Sequence, residues 1–437
     1  MQESTLVEFK RERRDTISTT LCAAKWFSCD VYLHTGVTSS CNYPSPHHID
    51  LDAVKGNCLK IHNTDTKLDE RESMLNGTQP SGCDNCWRIE NTDTNVMSHR
   101  VYASKRHETN AFSQLSASDI IVPELISVVF DTYCNFKCVY CDPSQSSSWA
   151  SDIKLHGNYN LKSDERETYN TDILDNVLRD VDYDSLYSSF VNMFVDNIHG
   201  IRKINILGGE PLMSPKIWKF LDSITQVDCK HITLGIVTNL SQLPLVKRII
   251  AYETHFKHIQ LSVSIDGTTR KSEFIRNGLN WDNFLECIDY IFKRSQIEIW
   301  LLGTINILSL DGLIDVLKWH EHIQQKYNRK VPYKISTCRW PSFQAITILP
   351  TYIRQYYIKQ IQSWLDIHST PLEDDLADEI MIEELKQLCV LLEHAPSSAK
   401  TYLYRQDFRY FVEEFATRNK LSINDTFSDV LCEWIKE

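Results

Sequence analysis

The chain has 437 residues, 42% of them hydrophobic, a length that calls for two or more domains and an apolar share that can fill a substantial core. Its 46 Lys and Arg against 58 Asp and Glu give a net charge of −12, which weighs against non-specific nucleic-acid binding. The longest apolar runs, such as Ile297 to Leu302, are too short to span a bilayer, and the charged start M-Q-E-S-T-L-V-E-F-K-R-E-R-R carries no secretory signal.

A cytoplasmic protein with no nucleic-acid and no membrane partner is expected, and 14 cysteines there point to metal or redox chemistry over disulfides. The basic run Lys10 to Arg14 reads as a solvated helix face. Next comes a first cysteine set, C-x13-G-x4-C through Cys22, Gly36 and Cys41, followed by Cys83 and Cys86 in G-C-D-N-C-W. Four thiolates from two hairpin-like pieces can close a tetrahedral site, and spacing alone leaves zinc and an iron–sulfur cluster equally open. Cys29 and Cys58 are rival ligands, Cys29 as a substitute for Cys22. His47-His48 lies in a loop without a partnering carboxylate and reads as an ordinary surface pair.

From Glu124 to Cys338 strand and helix patterns alternate. Strands are predicted at Leu125–Asp131, Lys203–Leu207, Ile232–Asn239, His258–Asp266, Ile297–Asn306 and Val331–Cys338. Helices are predicted at Thr171–Ile198, Pro215–Gln226, Gln242–Thr254, Trp281–Ser295 and Asp311–Tyr327. The strands look apolar throughout, as parallel strands buried on both faces would be. Serial βα units imply an α/β fold whose parallel sheet curls into a partial (β/α)6 barrel, with chemistry at the C-terminal strand ends. Asp142 to Asn170 is polar and reads as a long loop over the barrel mouth. Residues 346–437 are expected to form a mainly helical extension. There Ile353, Tyr357, Ile361, Trp364 and Leu365 share a face that closes the barrel's open side, and the acidic run Glu373–Glu384 reads as a solvated amphipathic helix.

Directly after the first of these strands stands C-N-F-K-C-V-Y-C, a C-x3-C-x2-C run through Cys134, Cys138 and Cys141, with Tyr140 before the last cysteine. Three thiolates on one loop can hold three irons of a cubane and leave the fourth open, whereas ordinary electron carriers use four cysteines per cluster. Zinc, which takes four ligands and favours C-x2-C pairs, fits this loop poorly. Gly208-Gly209-Glu210-Pro211 follows the second strand, Thr238-Asn239 ends the third, Ser264-Ile265-Asp266-Gly267 the fourth and Thr304-Ile305-Asn306 the fifth. The cysteine loop and the G-G-E-P turn resemble the signature of the radical S-adenosylmethionine (SAM) superfamily.

That resemblance implies a radical SAM barrel over residues 116–345. Its [4Fe–4S] cluster would bind SAM through the open iron and cleave it by one electron to a 5′-deoxyadenosyl radical, which abstracts hydrogen from the substrate. It implies Gly208 and Gly209 near the SAM amino group, with Glu210 either ordering the loop or contacting that group, and Pro211 as the last residue of the same cofactor-binding motif. Thr238 and Asn239 end their strand as in the family. Ser264 and Asp266 are candidates for the ribose hydroxyls. Arg276 either pairs with the SAM carboxylate or forms a surface salt bridge. Asn306 is expected to face SAM, and Tyr140 either packs near the adenine or fills core. The first cysteine set is similar to the twitch module, the shorter relative of SPASM. Cys22, Cys41, Cys83 and Cys86 would then hold an auxiliary [4Fe–4S] cluster within residues 1–115, shielded by Trp87. In the family this module usually follows the barrel, and here it precedes it. A flavodoxin- or ferredoxin-like electron donor and a peptide, protein or small-molecule substrate are the implied partners. Two other readings remain: a non-catalytic zinc or iron–sulfur binding module, and a two-cluster electron carrier.

Overall fold

The computed structural model describes residues 8–92, 97–107, 115–163, 168–170, 181–368, 376–395 and 400–437. Six strands of the expected βα series are present: β4 (Leu125–Val129), β6 (Lys203–Leu207), β7 (Thr233–Thr238), β8 (His258–Ser264), β10 (Glu298–Ile305) and β11 (Tyr333–Thr337). Three further strands come from the N-terminal third: β1 (Ser28–Tyr32), β2 (Val37–Ser39) and β3 (His47–His48). Together they form one sheet in the order β11-β10-β8-β7-β6-β4-β1-β2-β3. All pairings from β11 to β1 are parallel, and β1–β2–β3 is antiparallel. The fold is therefore α/β with a mostly parallel sheet. β1 lies in register with β4, with Cys29 opposite Ile126, so the N-terminal third is built into the sheet.

The strands are not buried on both faces, which corrects the sequence expectation. Ile126, Val128, Ile204, Ile206, Leu234, Ile236, Leu261 and Leu301 are sealed on one face, under the helices. Ser127, Asn205, Gln260, Ser262 and Thr304 alternate with them and are only half buried, and Trp300 is 37% exposed. The sheet thus has an apolar, helix-covered side and a polar, accessible one. The helix His99–Arg106 reaches the lead-in of β6, where Arg202 donates to Arg106 O.

The helices between the strands start where their caps dictate. Asp182 accepts from Ser185 N to open Tyr183–Asp196, and Asn280 accepts from Asn283 N to open Trp281–Arg294. Pro215 stands at the first turn of Pro215–Ile224, and Leu243–Ile250 and Leu313–Tyr327 complete the expected set. The first ten residues of the predicted helix Thr171–Ile198 lie outside the described residues.

Three expectations change. Lys10–Arg14 is helical, but Arg14 is fully enclosed and pairs with Asp15, because its guanidinium turns into a small N-terminal core rather than to solvent. The segment after Cys141 is not simply a loop: Ser147–His156 is a helix whose Trp149 is fully buried among Tyr159, Tyr169, Phe411 and Phe415. At the C-terminus the predicted face of helix Thr351–His368 is buried as expected. The element laid against β11 is the next helix, Leu376–Glu393, in which Met381, Ile382, Leu385 and Leu388 are buried and Glu384 accepts from Ile335 N at 2.6 Å. Its apolar positions claim the sheet edge while Glu383 stays exposed, as an amphipathic helix requires; residues 373–375 of that run lie outside the described set. Among the described residues no helix is long and apolar enough to cross a membrane.

Candidate active site

The cysteine loop leaves β4 at the C-terminal edge of the parallel strands and is braced from three sides. Ser147 and Ser148 hydroxyls donate to Cys134 O, Cys134 N donates to Ser147 Oγ, and Trp149 Nε1 donates to Cys138 O. Ser146 caps that helix while its hydroxyl also donates to Phe136 O. Sequence reasoning missed this brace, although a serine run just before Trp149 is a helix-start signal. A second brace is a two-residue ladder between β5 (Lys137–Cys138) and β9 (Arg276–Asn277), which sets Cys138 opposite Arg276. The third comes from the G-G-E-P turn. Gly208 has φ +137°, and a Cβ there would lie 2.7 Å from Asp131 O; a Cβ on Gly209 would lie 2.5 Å from Tyr133 O. The glycines therefore admit the cysteine loop's own backbone.

Glu210 is the knot of this turn. It is 2% exposed, and it accepts from Asn239 N (2.5 Å), Thr238 Oγ1 (2.7 Å) and Leu212 N (3.1 Å). Pro211 opens the short 3-10 turn that Glu210 caps. Asn239 Nδ2 donates on to Asn135 Oδ1, inside the cysteine motif. Both carboxylate oxygens take part in ordering the loop, Oε1 with two bonds and Oε2 with one. Burial raises its pKa from 4.5 to about 7.

Asp266, Arg276 and Tyr140 form one buried cluster. Tyr140 OH donates to Asp266 Oδ2 at 2.5 Å, and Arg276 NH1 donates to the same oxygen at 2.9 Å and to the Tyr140 hydroxyl at 2.6 Å. Asp266 Oδ1 accepts from Thr304 N. Asp266 is therefore not presented to a ribose; its oxygens hold β10 and the cysteine loop. Arg276 is not a surface salt bridge, being 6% exposed. Its Nε is buried without a hydrogen-bond partner, a donor that an anionic ligand next to Cys138 would satisfy. Asn306 is also redirected: it is fully enclosed, and its side-chain oxygen caps Leu308 N and Ser309 N. Ser264 is half buried on the open face of β8, with Gln260 and Ser262.

Burial pushes Cys138 up to about 12 and raises Cys134 and Cys141, and the three thiols act on one another. Soft sulfur donors on one firmly held loop suit the irons of a cluster. Residues 128–317 match the family model described as the Radical SAM superfamily.

The matched stretch holds the three-cysteine loop and the G-G-E-P turn.

Among curated relatives, the chain is 29% identical over 110 residues to the GTP 3′,8-cyclase of Campylobacter lari, covering 25% of each chain. It is 26% identical over 211 residues to that of Helicobacter pylori, covering 47% of this chain and 55% of that one. The matches thus span about a quarter and about half of those relatives' lengths. Among solved structures, Streptococcus suis SuiB bound to S-adenosylmethionine aligns with TM-score 0.37 and 12% identity over 82% of this chain and 72% of that one. Native anSMEcpe with bound AdoMet aligns with TM-score 0.35 and 16% identity over 56% and 61%.

The first cysteine set lies at the other edge of the same sheet. Cys22 precedes β1, and Cys41 follows β2, which runs antiparallel to it, so both sit at the N-terminal ends of the parallel strands. Five residues of strand, about 16 Å, separate that edge from the Cys134 loop. Burial pushes Cys41 and Cys83 up to about 12. Cys22 adds to both shifts, and Cys86 adds to those of Cys22 and Cys83, so the four thiols share one neighbourhood. Buried Lys25 opposes the shifts of Cys22, Cys41 and Cys83, and buried Arg100 that of Cys22. Trp87, 5% exposed, lies under Arg100 at 4.3 Å. Cys29 sits elsewhere, beside Thr38 and Lys67, and Cys58 near Asp196. His47 bonds Thr64. Among the described residues no three His, Cys, Asp or Glu side chains converge as a single metal ion requires.

Proposed function

We propose that this chain is a SAM-dependent radical enzyme. The observation that carries the reading is the three-thiol loop, locked by Glu210, Asn239 and Arg276 at the C-terminal edge of the sheet. Cys134, Cys138 and Cys141 would hold a [4Fe–4S] cluster, and Arg276 Nε is free to meet the carboxylate of SAM. With SAM bound, the cluster supplies a one-electron cleavage that yields methionine and a 5′-deoxyadenosyl radical. The chain's own part is positional. Glu210 fixes the turn, Asp266 and Tyr140 hold the guanidinium, and the polar sheet face through Ser127, Asn205, Gln260 and Ser262 offers the substrate hydrogen bonds.

A second [4Fe–4S] cluster on Cys22, Cys41, Cys83 and Cys86, in a twitch-like module over residues 1–115, would take or relay an electron from the far end of a partial barrel over residues 116–345. The radical SAM signature downstream favours a cubane over a single zinc ion on these four thiols. The substrate would be a peptide or protein side chain or a small molecule, with hydrogen abstraction and net oxidation as the reaction. The electron donor would be flavodoxin- or ferredoxin-like, in the cytoplasm. The decisive experiment is anaerobic reconstitution, an iron count, and assay of 5′-deoxyadenosine after SAM and dithionite. About eight irons and SAM cleavage are expected, and Cys134, Cys138 and Cys141 changed together to Ala should leave about four irons and no cleavage. Eight irons without cleavage would make the chain an electron carrier, and a colourless zinc protein would make it a binding module.

A further inference from the structure

Beside the first cysteine set lies a cleft of about 410 Å³ that none of the roles above employs. Ser40, next to Cys41, and Gly82, next to Cys83, both line it. Its inner wall holds Lys25 and Ser40, 2% and 1% exposed, and its rim carries exposed Ser45, Thr66 and Ser81. Ser40 Oγ is buried and has no hydrogen-bond partner. Buried hydroxyls are nearly always paired, so an unpaired one in the wall of a cleft is a donor and acceptor that a molecule entering the cleft can satisfy.

Charge narrows the choice of ligand. Lys25 Nζ is held by Glu70 Oε2 at 2.5 Å, and both residues line the cleft, so their charges cancel. His47, also in the lining, is kept neutral, with a pKa lowered to about 4 by burial and by nearby Lys67. The charged side chains of the lining, Lys25 and Glu70, are thus spent on each other and offer an anion no unpaired cation. Hydroxyls donate and accept alike, and Pro44 is the apolar side chain of the lining. The volume falls within the roughly 300–1,000 Å³ of small-molecule sites.

From these observations we infer that the cleft binds an uncharged, polyhydroxylated small molecule, a sugar or a sugar-bearing compound. The full-length protein would be tested by saturation-transfer NMR with D-ribose as probe and inorganic phosphate as the charged control, before and after iron loading. Ribose should bind in both states, phosphate in neither, and Ser40→Ala should weaken ribose binding about tenfold, one lost hydrogen bond's worth. Thr66→Val at the exposed rim serves the same purpose if Ser40→Ala does not fold. Absence of a ribose signal, an equal phosphate signal, or undiminished binding by the folded variant overturns the proposal. The iron count of the same samples reports separately on the auxiliary cluster, so failure of that reading and failure of this one are told apart.

Discussion

Cys138 and Arg276 stand opposite each other in the β5–β9 ladder, and the guanidinium runs on from there to Tyr140 and Asp266. One side chain therefore ties the cysteine loop to the end of β8 and, through Asp266, to Thr304 on β10. The loop owes its shape to strands far from it in sequence.

Replacing Arg276 by Gln leaves Asp266 buried with its charge unpaired. Loss of one partner of a buried pair costs about 3–5 kcal/mol. Urea denaturation of Arg276→Gln should show a loss of that order, and the same variant should lose SAM cleavage. If stability and cleavage both stay at the parent level, Arg276 does not hold the loop.

Glu210 gives the fold a pH dependence. Its pKa rises from 4.5 to about 7, chiefly through burial, so the folded chain favours the protonated carboxyl. The resulting stability is complete below about pH 4.5 and is lost as pH rises through about 7, a swing of about 3 kcal/mol. Denaturation at several pH values across that window should show the fall. Glu210→Gln should flatten it, and an unchanged slope in the variant would assign the effect elsewhere.

Gly209→Ala is expected to expel the loop. The new Cβ would stand 2.5 Å from Tyr133 O and 2.7 Å from Thr132 O, backbone atoms that cannot swing away. Overpacking of this kind costs about 1–3 kcal/mol. The reconstituted variant should lose about four irons, those of the SAM-binding cluster. A full iron complement would show that the turn can shift.

Trp149→Ala should destabilise by about 3–5 kcal/mol, the usual penalty for a large buried aromatic. Trp149→Phe keeps most of the packing but drops the bond to Cys138 O, and should cost about 1 kcal/mol. Thermal melts of the two variants separate packing from the hydrogen bond.

The half of the chain that carries the βα series was largely legible in the sequence. β6 was read to the residue because Lys203–Leu207 runs from a charged start into the Gly208-Gly209 turn. β1 was not seen, since S-C-D-V-Y is short and carries Asp30 at its centre, and only pairing with β4 makes it a strand. The alternation of buried and open strand faces was hidden by apolar residues such as Leu207 and Leu302 on the open side. Side-chain roles were hardest to read. Asn306 at a strand end is equally a helix cap, and Asp266 in Asp-Gly equally a buried counter-ion, and local sequence does not say which partner a carboxylate or amide will find.

The seat of β1 beside β4 has a consequence for biosynthesis. β1 leaves the ribosome long before its neighbour is made, and must wait, attached to its hairpin, for the rest of the sheet. Without it, β4 would present a row of bare amide and carbonyl groups to any passing chain. A fragment starting after the first cysteine set should therefore clump during expression, and supplying the missing segment in trans should restore a dispersed protein.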